Sequence, residues 1–509
     1  MYSKINTCIL QGLNGHLIEV ETDLSRGMPV FNIVGLPDTS IKESKERVRT
    51  AIKNSGYDFP LSRITVNLAP ANIRKEGSQL DLAIALGILQ AMGIVADFNY
   101  RNIAFIGELS LDGRLNPVEG VLPIVISLRN FGIKKCVVPY ENKDEAAVIE
   151  DIEVIPVKSL NQVINYLNDE EEIVPYKNPI SFSQEDEIQY DIDFSDIMGQ
   201  ETLKRALEVA AAGSHNILII GPPGAGKTMA ARRLPTILPS LSFEEAIEVT
   251  KIYSISGLLT SKALIKNRPF RAPHHTASAI SLIGGGRIPR PGEVSLAHHG
   301  VLFLDEILEF KRDVLEVLRQ PIEDEVVTIS RVNATITYPS KFMLVASMNP
   351  CPCGYYGDPY HECTCSQSSI EKYLGKLSSP LLDRIDIHIE VSPVAYKELK
   401  GEKNIESSKD IRTRVEKARR IQLDRYRNKS IYSNFQLNSN DVKQCCKLTK
   451  GAEKIIREAF NKFRFSARSY NKILKISRTI ADLDGEDLIL ENHVLEAIRY
   501  RSTDKKYWR

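Results

Sequence analysis

The sequence predicts an α/β chain that ends in a helical region. Three observations carry that prediction. Over residues 1–167, short apolar runs that suit strands alternate with segments of helical period. The run Asn216–Ile220 reads as a buried strand that enters a glycine-rich turn and then a helix. From Pro393 onward the apolar spacing is helical, with little strand signal. Alternation of the two periods is what a layered α/β architecture requires.

The elements follow in order. Phe31–Val34, Ile64–Leu68, Ile103–Ile106 and Lys135–Val138 read as strands, and Ser40–Ser55 and Ser78–Met92 as helices. Together they suggest one domain over 1–167. Residues 168–195 are rich in Asp, Glu, Pro, Ser and Gln. Such a composition buries too little apolar surface to fold alone and reads as a linker. A second domain spans 196–392 and a third, helical one 393–509. A chain of 509 residues is long enough for several domains. It is 43% apolar and 26% charged with a net charge of +1, so any basic surface has to be local. No run approaches the ~18 apolar residues of a membrane span, and the N-terminus lacks the pattern of a secretion signal. A cytoplasmic protein without membrane association is expected. Of eight cysteines four cluster, which points to a metal in a reducing compartment rather than to disulfides.

Gly221-Pro222-Pro223-Gly224-Ala225-Gly226-Lys227-Thr228 meets every fixed position of the phosphate-loop pattern. Its place between strand and helix is the context that pattern needs. Glycines let backbone N–H groups converge on phosphate oxygens, Lys227 reaches the β- and γ-phosphates, and the Thr228 hydroxyl is a Mg²⁺ ligand. ATP and Mg²⁺ are therefore the expected cofactors. Hydrolysis needs two further acids, and the run Val301–Glu306 ends in a pair. Asp305 is placed to hold Mg²⁺, and Glu306 to polarise the attacking water. A further strand, Phe342–Ala346, leads to Asn349, which could sense the γ-phosphate or simply form a turn before Pro350. Arg384, in the sequence LLDRID, reads equally as a transition-state arginine or a structural ion pair. Arg468 lies at the start of a helix that could bring it to the γ-phosphate.

Cys351, Cys353, Cys363 and Cys365 form C-x-C-x₉-C-x-C within residues 351–365. Two close pairs of thiolates suit tetrahedral Zn²⁺, with an iron–sulfur cluster or free thiols as alternatives.

Taken in order, residues 196–500 resemble the AAA+ ATPases. Arg268–Thr276, Pro291–Gly300 and the LLDRID stretch resemble the clade with an insert in the second helix, which includes magnesium chelatase ATPase subunits and minichromosome maintenance helicases. The resemblance implies that Asn349 is sensor 1, Arg384 a finger acting on a neighbour's nucleotide and Arg468 sensor 2 in a helical lid. It implies a ring, most often a hexamer, with the hairpin Val326–Tyr338 facing the pore. In the first domain, Lys75–Asp81 and Leu111–Leu122 resemble the proteolytic domain of Lon. Gln79 stands at the nucleophile's position and Leu122 at the lysine's, so no Ser–Lys dyad is present and no protease activity is expected. Ser78, one residue off, reads as a helix cap. The whole order of parts resembles the ComM/YifB group, whose members are ATP-driven hexameric DNA motors that move branched junctions during natural transformation.

DNA contacts are expected from Arg287, Arg290 and Arg331, on loops that face the pore in related motors. A basic stripe that includes Arg412, Arg414, Arg419 and Arg425 reads either as a phosphate-binding face or as a solvated or subunit-contacting one. The expected function is an ATP-driven branch-migration motor with DNA, further copies of itself and recombination proteins as partners. The alternatives are a magnesium-chelatase-type metal-insertion ATPase and an ATP-binding scaffold.

Overall fold

A computed structural model of the chain describes residues 1–178, 190–259, 263–286, 289–331, 334–358, 360–393, 406–429, 431–502 and 504–508. They form two compact units, residues 1–183 with 246–265, and residues 184–245 with 266–509. Residues 246–265, read above as part of the second domain, thus pack with the first unit. The helical C-terminal region shares one unit with the phosphate loop.

The first unit is built on β1 (Tyr2–Gln11), β2 (Asn14–Ser25), β3 (Val30–Val34), β4 (Arg63–Ala69), β5 (Ile103–Phe105), β6 (Glu108–Leu109), β7 (Leu115–Asn116), β8 (Lys135–Pro139) and β9 (Glu153–Val157). Seven of these form one mixed sheet in the order β3-β4-β2-β1-β5-β8-β9. β1, β2 and β4 are antiparallel neighbours, whereas β1, β5, β8 and β9 run parallel. Alternate residues face opposite sides: Val137 joins one core with Ile5 and Ile9, while Cys136 and Val138 join the other with Cys8. The helix Asp81–Ala91 has ten of its eleven residues buried, as its unbroken apolar run demands.

In the second unit the parallel sheet comprises β10 (Ile217–Ile220), β11 (Phe270–Arg271), β14 (Val301–Leu304), β17 (Met343–Met348) and β18 (Ile387–Glu390), in the order β11-β14-β17-β10-β18. Two hairpins stand outside it: β12 (Gly284–Gly285) with β13 (Arg290–Pro291), and β15 (Val326–Arg331) with β16 (Ala334–Pro339). β10 and β14 are buried at every residue, which is why both read as plain apolar runs. The helices Glu201–Gly213, Ser408–Arg425, Lys450–Phe463 and Ala467–Asp484 share one core with the sheet through Ile219, Phe303, Val415, Ile456 and Ile476. Ser407, Thr449 and Ser466 cap the last three, each accepting from a backbone N–H three residues on. No helix among the described residues is long and apolar enough to cross a membrane.

Candidate nucleotide site and cysteine cluster

β14, β17 and β10 are adjacent and parallel, so their C-terminal ends open side by side. In open α/β sheets this is where ligands gather. β10 runs into Gly221, β14 ends before Asp305 and Glu306, and β17 ends before Asn349. Three segments far apart in sequence therefore meet at one edge. Gly224 and Gly226 take φ values of 77° and 82°, in the left-handed region that only glycine occupies without strain. That backbone turns the loop around the Lys227 side chain.

Lys227 is 8% exposed. Its amine donates to the carbonyls of Gly221 (2.7 Å) and Pro222 (2.9 Å) and to Asn349 Oδ1 (3.0 Å). Burial pulls its pKa down to about 8, against the attraction of Asp305 and Glu306. Thr228 Oγ1 donates to Asp305 Oδ2 at 2.9 Å. The Ser347 hydroxyl donates to the other Asp305 oxygen and accepts from the Glu306 N–H at 3.1 Å. Glu306 itself has φ 50°, a left-handed position for a residue with a side chain. Such strain costs of order 1–3 kcal/mol and collects at functional sites. The structure thus brings together Gly221–Thr228, Asp305, Glu306 and Asn349. A hydroxyl beside a carboxylate is an oxygen donor set of the kind a hard divalent cation takes, so Thr228 and Asp305 fit Mg²⁺.

Arg384 and Arg468 are elsewhere. Arg384 donates to the Pro380 carbonyl at 2.6 Å and pairs with Glu323. Arg468, half exposed, reaches the other oxygen of Glu323 at 3.3 Å. Among the described residues neither side chain bonds the phosphate loop, and Arg384 Nε finds no partner. The two arginines line a cleft of about 800 Å³ with Glu323, Asn471 and Lys472. The turn after Arg384 is fixed from below. Buried Asp386 meets His215 Nδ1 at 3.2 Å and the Lys472 amine at 3.0 Å. Burial pushes the Asp386 carboxyl up, but Lys472 and His215 overcome this and hold it well below the usual carboxylate range. The Arg501 guanidinium donates to the Ile385 carbonyl at 2.7 Å.

The four clustered cysteines converge. Cys351 Sγ lies 3.3 Å from Cys353 Sγ and 3.6 Å from Cys363 Sγ, and all four sulfurs fall within 4.8 Å of one another. Zn–S bonds of ~2.3 Å in a tetrahedron place sulfurs about 3.8 Å apart, so the donor set fits Zn²⁺. His361 is exposed and stacks near Tyr355, outside the cluster.

Arg290 and Arg331 are exposed on neighbouring hairpins. Tyr338 Oη donates to the Pro289 carbonyl at 2.8 Å, and a Cβ on Gly285 would lie 3.2 Å from Arg331 Nη2. Arg287 lies outside the described residues. The basic stripe is largely committed within the chain. Arg412 donates to the Thr236 carbonyl, Arg414 pairs with Glu208 and Glu406, and Arg425 pairs with Asp482. Arg419 donates to the Ala211 carbonyl and Ser214. These four are structural, because helix Ser408–Arg425 lies against the core.

In the first unit, Leu122 is buried and the Gln79 side chain turns back to the Glu76 carbonyl at 3.2 Å. Ser78 is not the cap expected of it. Its hydroxyl donates to Glu108, which also accepts from Asn116 Nδ2 at 3.1 Å, and the helix begins only at Asp81 after Leu80.

Several residues of the site carry no motif. Ser347 was visible only as a polar residue inside the apolar strand Met343–Met348. Glu323 gives no local signal. Asn216 joins three segments: its side chain accepts from Leu344 N at 2.8 Å and donates to the Arg384 carbonyl at 3.0 Å, and its own carbonyl accepts from Ile387 N at 3.0 Å.

Comparison with known proteins agrees with this geometry. Residues 193–399 match the family described as magnesium chelatase, subunit ChlI; residues 20–142 match subunit ChlI of Mg-chelatase, and residues 405–501 its C-terminal part. Competence protein ComM of Haemophilus influenzae is 42% identical over 96% of both chains. YifB of Escherichia coli is 41% identical over 99% of this chain and 97% of its own. Lon protease 2 of Bacillus subtilis is 28% identical over 32% of each chain, at the N-terminal region here. The chain belongs to the ComM/YifB family of magnesium-chelatase-like AAA+ proteins, with a Lon-like first domain.

Proposed function

We propose that this protein is an ATP-hydrolysing DNA motor that works as a ring of identical copies and drives branched junctions during recombination of incoming DNA. One observation carries the reading. Lys227, Thr228, Asp305, Glu306 and Asn349 meet at one sheet edge, while Arg384 and Arg468 are gathered apart from them on Glu323. The first set binds and prepares a nucleotide; the second suits the nucleotide of an adjoining copy.

Lys227 exchanges its carbonyl partners for phosphate oxygens. Thr228 and Asp305 would hold Mg²⁺, which would supply positive charge against the phosphates. Asn349 orients the water, Glu306 accepts its proton, and Arg384 and Arg468 of the next copy stabilise the charge that develops. Cys351, Cys353, Cys363 and Cys365 hold Zn²⁺ in a closed, structural shell. Arg287, Arg290 and Arg331 contact DNA phosphates. The Lon-like domain (1–167) acts in assembly or DNA contact, without peptidase chemistry. The relative named as a competence protein supports a competence-related role; natural transformation, the cytoplasm and recombination-protein partners are part of the same proposal.

Purified protein, three- and four-stranded DNA and ATP test the reading. We expect ATP-dependent junction movement that Glu306→Gln abolishes. ATP turnover in assembled rings without any strand movement would rule out the motor. The family description favours one other reading, a metal-insertion ATPase. ATP-dependent insertion of Mg²⁺ into a porphyrin, with no response to DNA, would establish it instead.

A further inference from the structure

The cysteine cluster and the phosphate loop are in contact, which neither motif predicts. Cys351, the first thiol, stands two residues after Asn349, the side chain that receives the Lys227 amine. Three residues further on, Gly354 turns back with φ 89°. Its backbone lies against Pro223 of the phosphate loop so closely that a Cβ there would sit 2.5 Å from Pro223 Cδ. Bonds inside the turn shape it. Gly354 N donates to the Cys351 carbonyl at 3.0 Å, and Tyr356 N donates to Cys351 Sγ at 3.3 Å. On its far side Tyr356 packs edge-on against Tyr507, whose hydroxyl donates to Glu390 at 2.8 Å, at the end of β18. β18 pairs with β10, the strand that feeds the phosphate loop. The turn is thus braced between the loop and the short helix Asp504–Tyr507, and its shape rests on where Cys351 is held.

We propose that the four-cysteine loop is a metal-dependent positioning element for nucleotide binding: Zn²⁺ on Cys351, Cys353, Cys363 and Cys365 fixes Gly354 against Pro223 and Asn349 beside Lys227. The proposal rests on the assignments of the ATP site and the zinc site above. The metal takes no part in the chemistry of ATP. It removes the freedom of a turn on which two nucleotide-contacting segments depend. Because the two sites share this turn, their occupancies are linked, and each ligand strengthens the other by the same factor.

Two readouts test it in the full-length protein, both independent of turnover. The first is the affinity for a fluorescent, non-hydrolysable ATP analogue, measured with zinc bound and after its removal by a chelator. We expect stripping to weaken binding about tenfold, an ordinary size for linked sites. The second is the rate at which a chromophoric chelator extracts zinc, which saturating analogue should slow. Substitution separates contact from folding. Gly354→Ala should keep one zinc per chain yet weaken analogue binding to a similar degree. Gly357→Ala is the control: its φ of 80° carries the same backbone strain, but it faces Lys506 rather than Pro223. It should bind within about twofold of the unaltered chain, close to the error of such a measurement. Equal affinity in the unaltered, stripped and Gly354→Ala proteins would overturn the coupling and leave the phosphate-loop assignment intact. Failure of the unaltered, zinc-loaded protein to bind the analogue would overturn that assignment, and the proposal with it.

Discussion

The two cationic stations of the nucleotide unit are built in opposite ways. Around Lys227 the hydrogen bonds are made within the chain: the amine has three oxygen partners, and Asp305 has two hydroxyl donors. Around Arg384 and Arg468 two guanidinium groups share one carboxylate, Glu323, and Arg384 keeps a buried N–H without a partner among the described residues. At one station the lysine and Asp305 are hydrogen-bonded before any ligand arrives. The other leaves a guanidinium N–H of Arg384 unmatched among the described residues, beside an open cleft, and an acceptor from outside would complete it. The lesson is that residues expected at one site need not meet one another within one chain.

The sharpest way to break this comparison is to remove its first pole. Lys227→Ala should abolish ATP binding in equilibrium titrations; undiminished affinity would mean that the loop holds no phosphate. Arg384→Ala should leave binding near normal and cut hydrolysis by roughly 10³ or more, the lower range for arginine fingers. In rings mixed from Arg384→Ala and Lys227→Ala chains, turnover should survive only where an intact loop faces an intact arginine. Absence of turnover in every such mixture would assign Arg384 to its own subunit's site.

Asp386→Ala tests whether the arginine station is rigid. It leaves Lys472 buried without its counter-charge, and removing one partner of a buried pair costs about 3–5 kcal/mol. Denaturant unfolding should show that loss; a change under 1 kcal/mol would show that water already reaches the pair. The smallest effect is expected from Glu323→Gln. A half-exposed pair is worth about 1 kcal/mol or less, so freeing the arginines should raise DNA-stimulated turnover by at most about fivefold. A fall instead would mean that Glu323 orients the arginines rather than restraining them.

Legibility in the sequence followed distance along the chain. Gly221–Thr228 and Asp305–Glu306 are contiguous, and their chemistry could be read from the residues alone. The place of Asn349 beside Lys227 follows only from the pairing of β17 with β10. Glu323 pairs with arginines 61 and 145 residues away, and no local pattern records that. The stripe around Arg412–Arg425 left two readings open for the same reason. Its spacing suited a phosphate-binding face, but Glu208 and Asp482, which neutralise part of it, belong to other helices. Ser78 suggested a helix cap from residue type and position, whereas Glu108, thirty residues on, claims its hydroxyl. The alternation of strands and helices was visible throughout. The membership of residues 246–265 was not, because it depends on which core receives Ile247 and Ile252 rather than on their period.

That last segment bears on how the gene can be divided. Ile247 packs against the cluster containing Val121, Leu122 and Val125, and Ser254 donates to Glu145. The Lon-like unit is therefore encoded in two exon-like pieces, with the phosphate loop between them. A deletion that starts translation after residue 183 does not excise a module. It leaves twenty residues of someone else's core inside the remainder, their apolar side chains turned to water. Shuffling this domain between relatives would require three simultaneous crossovers, after residues 183, 245 and 265, so its inheritance with the phosphate-loop unit is enforced by chain connectivity.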